Sequence, residues 1–156
     1  MDKEQLKTRT KQFALRIIRL VQALPNSLEG RIIGKQLISA GTSVGANYRS
    51  ACRGRSRAEF LSKLGIVEEE ADESAFWLEL IIEAKLLDAK MVNPLLQEAN
   101  EIVAIMVSAK KTTRQNLKKS KIDRISSWQT LGTSFAYPVS PRTLGSERSK
   151  SRPLKG

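Results

Sequence analysis

From Lys3 to Leu24, apolar residues fall at Leu6, Phe13, Ile17, Leu20, Val21 and Leu24. Most are three or four apart, the spacing that lines one face of a helix. Pro25 ends this helix, because its ring cannot continue the hydrogen-bond ladder. Asn26 and Glu29 stand at capping-box spacing, which predicts a second helix from there. That helix carries Ile32, Ile33, Leu37, Ile38, Val44, Tyr48 and Ala51 to about Arg53, with Gly54 as its stop. Ser56 and Glu59 form a second box before the strongest pattern in the chain: Phe60, Leu64, Val67, Ala71, Ser74, Leu78 and Ile81, in steps of four and three. The third helix is predicted to reach about Asp88. Asn93-Pro94 then reads as an N-cap followed by proline at the first helical position. Leu95, Leu96, Ala99, Ile102, Val103, Met106 and Val107 continue as a fourth helix ending between Lys111 and Lys121.

No run alternates with strand periodicity, and the links between helices are short. Short links force neighbours to run antiparallel, so the expected fold is all-α: an antiparallel up-down-up-down four-helix bundle. Residues 1–121 form the bundle in this reading. After Lys121 the chain turns to serines, three prolines, glycines and scattered Lys/Arg, too poor in apolar residues to offset the entropy of ordering it. Residues 122–156 are therefore expected to be a flexible basic tail, with Trp128, Phe135 and Tyr137 as its aromatic exceptions.

Charge sharpens this division. The chain carries 27 Lys+Arg against 16 Asp+Glu and no histidine, a net +11. Residues 1–109 hold 15 basic and 14 acidic residues, and 110–156 hold 12 and 2, so the excess sits in the C-terminal third. Such an excess points to a polyanionic partner. Cys52 is the only cysteine, which rules out an intrachain disulfide and multi-cysteine metal sites. With a charged N-terminal stretch and no long apolar run, the protein is expected to be cytoplasmic, with no membrane role.

Three stretches invite a chemical reading. In GTSVGANYR, Gly41 to Arg49, two glycines stand four apart, but the flanks are helical and no Lys-Ser/Thr follows, so a phosphate loop does not fit. Gly34, Gly41 and Gly45 fall instead on one side of the second helix, where small residues let a neighbouring backbone approach. Asn47 stands beside them, and if it faces the interior its amide needs a partner, for which a carboxylate from the third helix is the expected acceptor. Next, Arg49, Arg53, Arg55 and Arg57 cluster at the turn between the second and third helices, and each guanidinium offers a planar fork of donors for phosphate. With Lys110, Lys111, Arg114, Lys118 and Lys119 they are the candidate nucleic-acid contacts; a solvated turn is the plainer alternative. Finally, Glu68, Glu69, Glu70, Asp72 and Glu73 put five acids in six positions. Consecutive helical residues point in different directions, so these cannot converge on one ion, and bundle metal sites also call on histidine. No metal, cofactor or catalytic residue is expected, and the protein is read as no enzyme.

The segment from LPNSLEG to FWLELI, with SAGTSVGANYR, RSRAEF and EEADES followed by WLEL as its most specific parts, resembles a bacterial four-helix-bundle family. That family includes proteins encoded in intervening sequences of large-subunit ribosomal RNA genes and is related to the accessory variability determinant of diversity-generating retroelements. The likeness covers residues 5 to 112. It implies homopentameric barrels whose basic surface engages nucleic acid or a reverse transcriptase, with Arg49, Arg53, Arg55 and Arg57 as contacts and Asn47 as a structural position. Many relatives read N-I-A-E-G where this chain has Asn47-Tyr48-Arg49-Ser50-Ala51. The expected function is a non-enzymatic oligomeric bundle that binds nucleic acid or a nucleic-acid-processing protein. The alternative is a protein–protein scaffold with no nucleic-acid ligand.

Overall fold

A computed structural model of the chain describes residues 1–132, with side chains to Ser126. Helix α1 spans Lys3–Gln22, α2 Leu28–Ala51, α3 Arg57–Glu83 and α4 Ala89–Gly132. The bundle forms one compact unit, Met1–Lys121. Among the described residues there is no strand.

Each helix contributes one apolar stripe to a common core: Phe13 and Ile17 from α1, Leu37 and Val44 from α2, Leu64, Val67 and Leu78 from α3, Val92, Ile102 and Met106 from α4. Burial of these side chains is the main driving force for assembling the four helices, at about 1.5–3 kcal/mol for each large one. Besides Tyr48, two aliphatic hydroxyls are buried here. Thr10 donates to the Leu6 carbonyl at 3.0 Å and Ser74 to that of Glu70 at 2.8 Å, so neither is left without a partner. Ile32 and Val107, assigned to core faces by spacing, point outward at 52% and 49% exposure.

The ends of the elements differ from the pattern in five places. The cap of α2 is Ser27, whose hydroxyl accepts from the Gly30 N–H at 3.1 Å, while Asn26 turns to Arg31. At α3, Ser56 caps as expected, but the Glu59 carboxylate reaches the Arg55 N–H. Helix α3 stops at Glu83, five residues early, because Lys85 adopts φ 55°. The Leu86 and Lys85 N–H groups then bond to the carbonyls of Ile81 and Ile82, the paired closure that terminates helices.

Helix α4 begins at Ala89 rather than Pro94. The Asp88 carboxylate takes the Lys90 N–H at 2.8 Å, and Pro94 lies inside the helix. At its far end α4 runs to Gly132, so residues 122–132 continue the helix past the end expected between Lys111 and Lys121. That stretch contains no proline and no glycine before Gly132, so its backbone is free to remain helical even though the composition of the whole tail argues otherwise. Phe135 and Tyr137, and the side chain of Trp128, lie outside the described residues.

Candidate nucleic-acid interface

Antiparallel packing decides which basic residues become neighbours. Helix α1 starts, α2 ends, α3 starts and the middle of α4 passes at the same end of the bundle. There Lys3, Cys52, Arg55, Arg57, Thr113 and Asn116 line an open depression of about 390 Å³. The Lys3 ammonium lies 5.6 Å from the Phe60 ring centroid, a cation–π contact that holds it at the rim. The turn that carries the arginines is itself fixed by the Ser56 and Glu59 capping bonds, so Arg55 and Arg57 stand on defined backbone.

The nine basic candidates separate into groups. Arg53, Arg55 and Arg57 are exposed at the turn, and among the described residues none of them has a carboxylate within 4.0 Å. Lys111, Arg114 and Lys118 are exposed along one side of α4 at steps of three and four; Lys119 is exposed on another flank. Lys110 is different. Its ammonium lies 2.5 Å from the Glu68 carboxylate on α3, with only 17% of the side chain exposed, so it ties two helices together. Arg49 is exposed but belongs to another face, where it lines a groove between α1 and α2 with Lys7 and Lys11.

The glycines of α2 lie against α1 and the link before α2. A Cβ on Gly41 would stand 2.8 Å from Ile17, on Gly34 2.9 Å from Val21, and on Gly45 3.3 Å from the Thr10 carbonyl. Gly30 is tighter still, at 2.2 Å from the Pro25 carbonyl oxygen. Asn47 donates from its amide to the Ser43 carbonyl at 3.0 Å, a bond within α2 rather than to α3.

Spacing along the chain did not reveal the clamp between α1 and α4. Arg9 donates from Nε to Glu98 at 2.7 Å and from its outer nitrogen to Glu98 and Glu101, while Gln97 donates to the other Glu101 oxygen at 3.0 Å. The guanidinium and the Gln97 amide hold the Glu101 carboxyl below the usual range. The only available sequence signal is an arginine beside a helix's apolar stripe, and its partners lie 89 and 92 residues away. On α3, burial, with Glu73 and Glu69 adding repulsion, raises the Glu70 carboxyl above its ordinary value. Burial also pushes the Tyr48 hydroxyl well above the ordinary phenol range, with the neighbouring Cys52 adding to it, so that it remains a neutral core group.

Among the described residues no group of three or more His, Cys, Asp or Glu could hold a metal ion, and no helix is long and apolar enough to cross a membrane. These features define a class: a four-helix bundle with basic side chains gathered at one end. The chain belongs to the 23S rRNA-intervening sequence protein family, whose model matches residues 3–108. It is similar to a crystal structure of a protein of unknown function from the S23 ribosomal protein family of Bacteroides thetaiotaomicron VPI-5482. The identity is 34% and the TM-score 0.66, over 71% of this chain and 99% of that one. Comparison with curated proteins returns no match.

Proposed function

We propose that this protein is a non-enzymatic, homo-oligomeric bundle that binds nucleic acid through its basic end. The observation that carries this reading is the meeting of the α2–α3 turn with the middle of α4. Arg55 and Arg57 share a depression with Thr113 and Asn116 of a helix that holds six basic residues and no acid between Lys110 and Lys121. Guanidinium and ammonium groups on a capped turn and a continuous helix suit a run of phosphates, which they contact without reading sequence. Membership of a family named for ribosomal RNA intervening sequences supports RNA as the first probe. Lys110 takes no part, since Glu68 already neutralises it.

Binding of this kind releases counterions, so affinity falls steeply as salt rises. Fluorescence anisotropy of a labelled RNA duplex and single strand, titrated at two salt concentrations, tests it. Arg53→Ala/Arg55→Ala/Arg57→Ala should weaken binding at least tenfold at low salt and flatten the salt slope by about three contacts. Absence of binding at low salt removes the reading and leaves the scaffold alternative.

A further inference from the structure

The depression at the basic end has the size and lining of a pocket for a single anionic group with a ring attached. Three cations line it: Lys3 at the start of α1, Arg55 in the link between α2 and α3, and Arg57 at the start of α3. None of its lining residues is acidic. The carboxylates that stand close in sequence are held elsewhere. Asp2 accepts from the Gln5 N–H at 2.8 Å, Glu59 from the Arg55 N–H at 2.9 Å, and Glu4 pairs with Lys7 at 2.6 Å. Among the described residues, none of the three cations therefore has a carboxylate within 4.0 Å. The volume, about 390 Å³, lies near the small end of ligand pockets, which run from about 300 to 1,000 Å³. It suits one nucleotide rather than a length of strand.

The rest of the lining is not cationic. Phe60 packs on the core with part of its ring in the depression, where the Lys3 ammonium stands 5.6 Å from its centroid. From α4, Thr113 gives its hydroxyl hydrogen to the Ala109 carbonyl at 2.8 Å and keeps an acceptor, while the exposed Asn116 amide brings both donors and an acceptor. A bare inorganic anion leaves the ring and the amide unused. A phosphate joined to a nucleoside uses both. The number of cations also bears on which phosphate is preferred. A diester within a strand carries one negative charge, whereas a phosphomonoester carries about −1.5 to −2 at neutral pH, so converging cations favour the monoester.

We propose that this depression receives the phosphorylated end of a nucleic-acid strand, with the terminal phosphomonoester against Arg55, Arg57 and Lys3 and the first base against Phe60 and Asn116. This rests on the nucleic-acid part of the function proposed above and adds which part of the strand is recognised. An exposed cation–π contact is weaker than a hydrogen bond to a doubly charged phosphate, so Lys3 turns from the ring to the phosphate and leaves the ring face to the base. A terminal base lacks a stacking neighbour on one side, and an aromatic ring supplies it. Lys111, Arg114 and Lys118 lie on the opposite side of α4 from Thr113 and Asn116, so they contact phosphates along the strand without regard to its ends.

Anisotropy at low salt on the full chain tests it, using internally labelled single-stranded RNAs of one sequence that carry a 5′-phosphate, a 3′-phosphate or hydroxyls at both ends. One phosphorylated strand should bind about tenfold tighter than the hydroxyl strand, the effect of a further hydrogen bond to a charged group. Arg55→Ala/Arg57→Ala, shown to be folded by circular dichroism, should erase that difference. Lys111→Ala/Arg114→Ala/Lys118→Ala should lower both affinities and keep their ratio. Excess adenosine monophosphate, at matched ionic strength, should compete the advantage away. Equal affinities for all three strands overturn end recognition and leave nucleic-acid binding standing; no binding of any strand removes both. An advantage that persists in the folded Arg55→Ala/Arg57→Ala variant, or that vanishes in the α4 variant, overturns the assignment to this depression. Adenosine monophosphate that binds in calorimetry while no phosphorylated strand is preferred assigns the depression to a free nucleotide and overturns the strand end.

Discussion

Lys85 holds φ 55°, a conformation that a lysine adopts only against the strain between its Cβ and the backbone, yet the termination of α3 depends on it. Lys85→Gly is therefore expected to raise stability by about 1 kcal/mol, read as a later urea midpoint with an unchanged slope. The glycines separate by their surroundings. Gly30→Ala and Gly41→Ala drive a methyl into the Pro25 carbonyl and the Ile17 side chain and should destabilise by about 1–3 kcal/mol. Gly65→Ala meets open space and should stabilise by about 1 kcal/mol. Unfolding curves for the three variants must show these opposite signs. Glu70 gives a pH-dependent case. Its folded carboxyl is raised above 4.5, so its charge opposes folding once the group ionises, and the opposition disappears as pH falls below 4.5. Glu70→Gln should thus raise the melting temperature at neutral pH and make little difference in acid.

At the scale of elements, apolar spacing located all four helices, because a 3.6-residue period survives wherever one face must be buried. Their ends were less legible. Asn26 and Asn93 looked like caps by residue type, but Ser27 and Asp88 perform that role, since the position of a cap depends on where the chain turns into the bundle. Asp88→Ala should cost about 1 kcal/mol and fray the start of α4, visible as faster amide exchange over 89–93. The α1–α4 clamp belongs to this scale as well. Arg9→Gln leaves Glu98 and Glu101 without their guanidinium, and hydrogen exchange in the first half of α1 should accelerate. Because the folded Glu101 carboxyl is lowered, its contribution is present above 4.5 and lost as pH falls through the folded value, so the variant's deficit narrows in acid.

For the whole molecule, composition suggested that basic character belongs to the C-terminal third, and folding changes what that means. The α2–α3 turn and the middle of α4 come to one end of the bundle, where Arg55 and Arg57 share a depression with Thr113 and Asn116, while Lys111, Arg114 and Lys118 lie on the opposite side of α4. A variant with Lys111, Arg114 and Lys118 changed to alanine should lose RNA affinity to a similar extent as the arginine-turn variant. The six changes combined should lose roughly the sum of the two in free energy, measured by anisotropy at fixed low salt.

The amino-acid sequence by itself determined the number of helices, their apolar faces, the small-residue side of α2, the excess of positive charge and the family likeness. Each follows from local periodicity, side-chain size or composition, which need no knowledge of neighbours. Only the tertiary structure decided that Lys110 is taken up by Glu68 and that Arg49 lies on a different face from Arg55 and Arg57. It alone set the contact of Arg9 with Glu98 and Glu101, and the open surroundings of Gly65, which meets nothing among the described residues. Those outcomes depend on which helices are adjacent and at what register, and that is settled by the packing of the whole core rather than by any one segment.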